Sequence, residues 1–283
     1  MNYLLTYVIS TLHLLLLFFT GNLCAQTSPK LLLQGFRFTE GPAVDRNGSL
    51  YFSDVPARRI YRYGFNGSLQ IFLKESGGVN GLYFTSENEL IACSGKETRA
   101  ILSIDSLGKI TEIISEYDGK KLNSPNDLWV DPSGGIYFTD PRYGNREGME
   151  QDGEHVYFVF PDRDRIIRVI DDLVRPNGIV GTNDGKKLYV VDQGVQKTYV
   201  YKILKNGKLA NKTLFTNCGV DGMSVNQQDE VFITAENAVR HFNQKGKLLQ
   251  EFNFSAYPTN VFFHKDQLFI TTQAGEVHQI LIK

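Results

Sequence analysis

The chain is poor in several residue types that mark particular chemistries. Three cysteines, three methionines, five histidines and one tryptophan occur in 283 residues. No Cys-x-x-Cys is present, so neither a zinc ribbon nor a dithiol redox motif has support. No Gly-x-Ser-x-Gly is present, so a serine esterase built on a nucleophile elbow has none either. Basic residues are not in excess: 30 Lys and Arg stand against 31 Asp and Glu, for a net charge of −1. That balance speaks against a nucleic-acid partner, which draws a basic patch. No convincing 3.6-residue apolar period runs through the chain after its first segment, so a helical fold is not expected. Lys, Arg, Asp and Glu are all missing from residues 1–25, where Tyr3 to Thr20 is almost wholly apolar. We read that segment as a secretory signal peptide cleaved after Ala25, which places the remainder, residues 26–283, in the periplasm or outside the cell. An uncleaved membrane anchor is the alternative. After cleavage only Cys93 and Cys218 remain, and two separately buried thiols are expected of them.

What the chain has in abundance is aromatic residues and glycine: 14 Tyr, 19 Phe and 26 Gly. β-Branched and aromatic runs broken by glycine turns point to an all-β protein. One five-residue pattern recurs: Leu50-Tyr-Phe-Ser-Asp54, Leu90-Ile-Ala-Cys-Ser94, Ile136-Tyr-Phe-Thr-Asp140, Leu188-Tyr-Val-Val-Asp192, Val231-Phe-Ile-Thr-Ala235 and Leu268-Phe-Ile-Thr-Thr272. The copies lie 37 to 52 residues apart, and each follows a turn signal such as Asn183-Asp-Gly185. Repeats of about 40–45 residues with four short strands each are the mark of propeller blades. Six copies predict a six-bladed β-propeller, one closed domain. Lys30–Phe38 is expected to pair with strands near Glu276–Ile282 and close the ring.

A second regularity precedes each copy. Counting back reaches Glu40, Asn80, Asn126, Asn177, Asp221 and Asn260, and Gly follows four of them. Innermost strands of a propeller line a central channel, so these six side chains are expected to converge on the axis at one end. Six oxygen-bearing groups with two carboxylates suit a hard divalent cation such as Ca²⁺. No His or Cys belongs to the set, which disfavours zinc and copper. Read singly, each Asn or Asp before Gly is an ordinary turn residue.

Thr39-Glu-Gly-Pro-Ala43, Leu122-Asn-Ser-Pro-Asn-Asp127, Phe138-Thr-Asp-Pro-Arg-Tyr-Gly144, Arg175-Pro-Asn-Gly178 and Val220-Asp-Gly-Met223, in this order, resemble the gluconolactonase/SMP-30/regucalcin-like family. The resemblance runs over essentially the whole chain after the leader, and most nearly to the bacterial gluconolactonases. It implies a six-bladed propeller with one divalent metal in the central channel, usually Ca²⁺, with Mg²⁺, Mn²⁺ or Zn²⁺ as other occupants. It carries the metal-ligand pattern onto Glu40, Asn126, Asn177 and Asp221, and the proton-acceptor role onto Asp221. It leaves Asn80 and Asn126 to meet substrate. Tyr143, Arg142 and His155 are further candidates to line the mouth and bind sugar hydroxyls, though each has a plain structural reading as well. Asp140 reads as a loop-ordering residue. The stretch Ser94–Arg99 lacks the His that many bacterial members carry there, so the resemblance fixes the metal centre and leaves substrate specificity open.

Three readings follow. The first is an exported, Ca²⁺-dependent lactonase that opens a sugar lactone such as glucono-1,5-lactone to the aldonic acid. The second keeps the site for other lactones, aryl esters or organophosphates. The third is a non-catalytic propeller that binds a ligand around a structural metal. The expected partner is a small-molecule lactone, with no nucleic acid, no membrane after signal cleavage, and a monomer or weak dimer as the assembly.

Overall fold

A computed structural model describes residues 28–282. The signal-peptide expectation for residues 1–25 falls outside the described residues. Among the described residues, no helix is long and apolar enough to cross a membrane, and the helical content is two single-turn 3₁₀ segments, Gln193–Val195 and Lys205–Gly207.

Short strands alternate with tight turns because the turn residues bond their own backbone. Asp45 Oδ1 accepts the N–H groups of Asn47 and Ser49 at 2.9 and 2.8 Å, and Gly48 takes the positive φ that closes the turn. Asp131 with Gly134, Asp105 with Gly108, and Asn243 with Gly246 repeat the device. A carboxylate or amide at the first turn position and a glycine three residues later fix each hairpin locally.

The hairpins assemble into six four-stranded antiparallel sheets. Five follow the chain without a crossover. Blade one holds Thr39–Val44, Leu50–Asp54, Arg59–Tyr63 and Leu69–Leu73. Blade two runs from Val79–Phe84 outward to Ile110–Ile114. Blade three runs from Leu128–Val130 to Ile166–Ile170, blade four from Pro176–Gly181 to Leu209–Thr216, and blade five from Met223–Val225 to Leu248–Asn253. The expected pattern forms the second strand of every blade, and its side chains in blades one to three are wholly buried.

Blade six closes the ring as expected. Pro258–His264, Gln267–Thr272 and Glu276–Leu281 supply three strands, and Lys30–Gln34 pairs as the fourth, with Leu31 opposite His278 and Gln34 opposite Glu276. Thr39 locks the seam. Its hydroxyl donates to the Glu276 carbonyl at 2.7 Å and accepts the Thr272 N–H at 3.0 Å. Pairing the two ends of the chain within one sheet removes two open edges.

Apolar residues pack between neighbouring sheets, as in the edge-to-face pair of Tyr51 in blade one with Phe84 in blade two, 4.9 Å apart. Both Cys93 and Cys218 are buried free thiols. The first strands of neighbouring blades pack against one another around the ring, which makes them the innermost strands.

Candidate active site at the channel mouth

Strand register fixes which residues share a level. Leu82, Leu128, Ile179, Met223 and Val261 each stand opposite the third residue of the five-residue pattern. In blade one Ala43 stands opposite Tyr51, which puts Pro42 at that level. Counted two residues back along each innermost strand, the outer level reads Glu40, Asn80, Asn126, Asn177, Asp221 and Thr259, and the bonds from Gly81 N–H to the Asn126 carbonyl and from Gly222 N–H to the Thr259 carbonyl put Asn126 and Thr259 in equivalent places. One residue earlier the next level reads Gly41, Gly81, Asp127, Gly178, Gly222 and Asn260. Five of the six expected ring positions fall on the outer level. Asn260 does not: it lies one residue deeper, and Thr259 takes its place. The Thr259 hydroxyl donates to the Thr39 carbonyl at 2.7 Å, so it serves the seam.

The glycines of the deeper level are explained by closeness. A Cβ on Gly41 would lie 2.4 Å from the Asn80 carbonyl oxygen, one on Gly81 2.7 Å from that of Asn126, and one on Gly178 2.3 Å from that of Asp221. The innermost strands of blades one, two and four thus touch the next blade's ring residue through a glycine. Blades three and six, opposite each other, depart from this by placing Asp127 and Asn260 there. The two side chains reach each other, Asn260 Nδ2 to Asp127 Oδ2 at 3.5 Å. They form a polar floor beneath the mouth, beside a cavity of about 30 Å³ that also touches Gly41 and Leu82. Asp127 is a functional candidate that the sequence reasoning left without a role. A signal was available, since an aspartate stands where four other blades carry glycine.

The electrostatics single out the carboxylates. Glu40 and Asp221 are 3% and 8% exposed. Burial, and next the charge of Asp127, push the Glu40 carboxyl up to about 8, against hydrogen bonds from Gly41 N–H and Asn260. Burial and then the Glu40 charge raise Asp221 well above the carboxylate range, while a hydrogen bond from Asn177 opposes the rise. Burial raises Asp127 to about 7. Three carboxylates held this close without a counter-charge are costly to ionise. Among the described residues, no three His, Cys, Asp or Glu side chains are gathered tightly enough to hold a metal by themselves. A donor set here must include amides. Asn177 fits that requirement: it is 2% exposed, and its Oδ1 is buried with no hydrogen-bond partner. An orphaned amide oxygen, on a residue that bonds one of two mutually repelling carboxylates, is donor chemistry a hard cation takes.

A measurable pH effect follows. Glu40 and Asp127 hold their protons more tightly folded than unfolded, so their contribution to stability is complete below about pH 4 and is lost as pH rises through about 7 and 8. With chelator present, calorimetry is expected to show the thermal midpoint falling by roughly 5–10 °C between pH 5 and 8, for a loss of a few kcal/mol in a domain of this size. A midpoint that rises over this interval would contradict the burial of these carboxylates.

The other candidates divide. Asn80 and Asn126 stand on the outer level. Asn126 is buried, and its carbonyl accepts the Gly81 N–H at 2.9 Å. Tyr143 reaches the mouth: its hydroxyl accepts from Asn177 Nδ2 at 2.7 Å. Arg142 does not reach it. Its guanidinium donates to the carbonyls of Asn123, Asn145 and Glu147 and staples the 141–151 loop. His155 opens the third strand of blade three, away from the axis, and bonds Asp152 at 2.9 Å beside Arg168. In this structure both side chains are engaged in these structural contacts. Asp140 orders a loop as expected, accepting the N–H groups of Asn123 and Ser124, each at 2.7 Å. A roomier cavity, about 700 Å³, opens at the other end of the channel beside Tyr83, Trp129 and Phe263. It holds none of the ring residues.

Fold and site together define a six-bladed propeller with a polar, carboxylate-bearing channel mouth. The family model described as SMP-30/Gluconolactonase/LRE-like region matches residues 38–274. A gluconolactonase of Zymomonas mobilis is 32% identical over 257 residues, covering 79% of this chain and 71% of that protein. The solved structure of a gluconolactonase from Xanthomonas campestris superposes with a TM-score of 0.82 at 27% identity, covering 89% of each chain. A calcium-binding regucalcin from Agrobacterium tumefaciens shares the fold, with a TM-score of 0.74 at 17% identity over 91% of this chain and 96% of that one. The chain belongs to the SMP-30/gluconolactonase/LRE-like family. Relatives named gluconolactonase and lactonase point to a lactone hydrolase.

Proposed function

We propose that the protein is an exported lactonase that hydrolyses a sugar lactone such as glucono-1,5-lactone to its aldonic acid, with Ca²⁺ as the divalent cation. The observation that carries this reading is the buried, unpartnered Oδ1 of Asn177, a residue whose amide also bonds Asp221, the carboxyl that Glu40 repels. Glu40, Asn177 and Asp221 would hold the cation, and Asn126 would complete the set directly or through water. When bound, the cation polarises the lactone carbonyl and offsets the negative charge that develops on its oxygen.

The chain's own residues do the rest. Asp221 takes a proton from the attacking water as the new C–O bond forms at the carbonyl carbon. The ring C–O bond then breaks, and Asp221 returns the proton to the departing ring oxygen, leaving a carboxylic acid and a free hydroxyl. The neighbouring Glu40 charge favours the protonated form of Asp221, which suits it to receive that proton. Asn80 offers an amide to substrate hydroxyls. Asp127 and Asn260 support the mouth from below. Periplasmic or secreted placement rests on the uncharged, apolar residues 1–25, and the working assembly is a monomer or weak dimer.

The test is pH-stat titration of glucono-1,5-lactone hydrolysis, corrected for the spontaneous rate. Activity is expected to fall at least tenfold on chelation and to return with Ca²⁺. Full activity after chelation would sink the metal-dependent reading. No activity in folded, Ca²⁺-loaded protein would pass the site to other lactones, aryl esters or organophosphates.

A further inference from the structure

One side of the mouth is closed by a chain of hydrogen bonds that fixes which end of the Asn177 amide meets Tyr143 and which end is left unpartnered. Asn177 Nδ2 donates to the Tyr143 hydroxyl at 2.7 Å, and that hydroxyl donates to Gln193 Oε1 at 2.8 Å. A hydroxyl has a single proton. With it committed to Gln193, Tyr143 meets Asn177 only as an acceptor, and only the amide nitrogen of Asn177 can face it. The amide oxygen is thereby turned away from Tyr143, and this is the oxygen that is buried without a partner.

Both members of the chain are themselves held. The backbone N–H of Gln193 donates to the Arg175 carbonyl at 2.9 Å. The side chain of Gln193 also bonds the Tyr257 hydroxyl, which gives its amide nitrogen a partner and leaves its oxygen to Tyr143. The Arg175 guanidinium sits 5.3 Å from the centre of the Tyr143 ring, and Glu154, buried, pairs with Arg175 at 3.3 Å. The ring of Tyr143 is 39% exposed, but its hydroxyl points inward to a residue that is 2% exposed. Such anchoring does little for a side chain that must yield to an incoming sugar. It serves a side chain that must stay in place.

We propose that Tyr143 and Gln193 are positioning residues that lock the Asn177 amide with its oxygen toward the cation site, so that the site is formed before the cation arrives. This rests on the metal reading given above. It reassigns Tyr143 from gripping substrate to fixing a ligand, and it brings in Gln193, which no spacing in the sequence marks. Partners of metal ligands in other proteins carry about 10–100-fold in metal affinity, the range expected here.

The experiment is Ca²⁺ titration by calorimetry into the chelator-treated protein, for wild type, Tyr143→Phe, Gln193→Leu and Gln193→Glu. Thermal melts establish that each is folded, and lactone kinetics are measured at saturating Ca²⁺. Tyr143→Phe and Gln193→Leu are expected to weaken Ca²⁺ about tenfold or more. Gln193→Glu keeps an acceptor for the Tyr143 proton and is expected not to weaken it. KM for the lactone is expected to stay within about twofold in Tyr143→Phe, because uniform substrate binding is untouched. Unchanged Ca²⁺ affinity in both weakening variants, with a raised KM, overturns the proposal and returns Tyr143 to the substrate. Equal weakening by Gln193→Glu and Gln193→Leu also overturns it, since acceptance by residue 193 would then be irrelevant. A folded wild type that takes up no Ca²⁺ removes the metal reading itself and this inference with it, an outcome distinct from the other two. Should Tyr143→Phe fail to fold, the Gln193 pair at the rim decides the question.

Discussion

Asp221→Asn is expected to abolish most turnover while leaving the propeller intact. The side chain is 8% exposed, and the replacement is nearly isosteric, so packing is preserved. What changes is protonation. Burial and Glu40 raise the Asp221 carboxyl in the cation-free site, and a neighbouring cation would offset that rise, so that an ionised carboxylate stands ready to accept a proton. An amide accepts no proton at any working pH. Loss of a positioned general base costs about 10²–10⁴ in rate. We expect a fall of about 10³ in kcat at saturating lactone and Ca²⁺. The same substitution relieves the repulsion between Asp221 and Glu40, so the chelated variant is expected to melt no lower than chelated wild type. That combination separates a chemical role from a folding defect. Substantial residual kcat with full metal occupancy would remove Asp221 from the proton-transfer step and leave it a ligand.

Much of this architecture was legible in the sequence because a propeller writes its period into the chain. The run Leu-Tyr-Phe-Ser-Asp at 50–54 and its five relatives are second strands, buried on both faces, so apolar content persists at every position and the repeat survives divergence. Ring closure was readable for a related reason. Lys30–Gln34 has no blade of its own to join, and only blade six lacks a fourth strand. Side-chain direction was harder. Arg142 and Tyr143 are adjacent in one loop, yet one staples that loop through three carbonyls and the other turns to the mouth. No periodicity governs a loop, so spacing could not separate them. Asn260 was misplaced by one residue because the hairpin after the innermost strand of blade six is irregular, with Phe263 opposite Leu268 across a shorter turn than in the other blades. Its shorter interval to the following pattern was the trace of that irregularity. Asp127 went unassigned because an Asn-Asp pair reads as one ring residue and one turn residue. Only strand register shows that the second member stands on a level otherwise built largely of glycine.

That glycine level carries the prediction with the largest structural effect. Gly178→Ala is expected to cost about 3 kcal/mol or more and to abolish activity in whatever fraction still folds. The reason is space, because the backbone at Gly178 is not in the left-handed region. Its added Cβ would lie 2.3 Å from the Asp221 carbonyl oxygen and 2.9 Å from Gly222 Cα. Both are backbone atoms of the next blade's innermost strand, so no rotamer change can make room, and the strands must move apart. They carry Asn177 and Asp221 with them, which couples the stability loss to the site. Gly119→Ala is the matched control: it has φ of +69° but nothing within 4 Å of its Cβ, so it is expected to cost only about 1 kcal/mol through backbone strain. Urea unfolding of the two variants, followed by lactone hydrolysis on the folded material, separates the cases. If Gly178→Ala matched Gly119→Ala in both measurements, the blades would not touch through this glycine. The account of a mouth held rigid by strand-to-strand contact would then fail, because the spacing of Asn177 and Asp221 would have to be set by something other than the closeness of their own backbones.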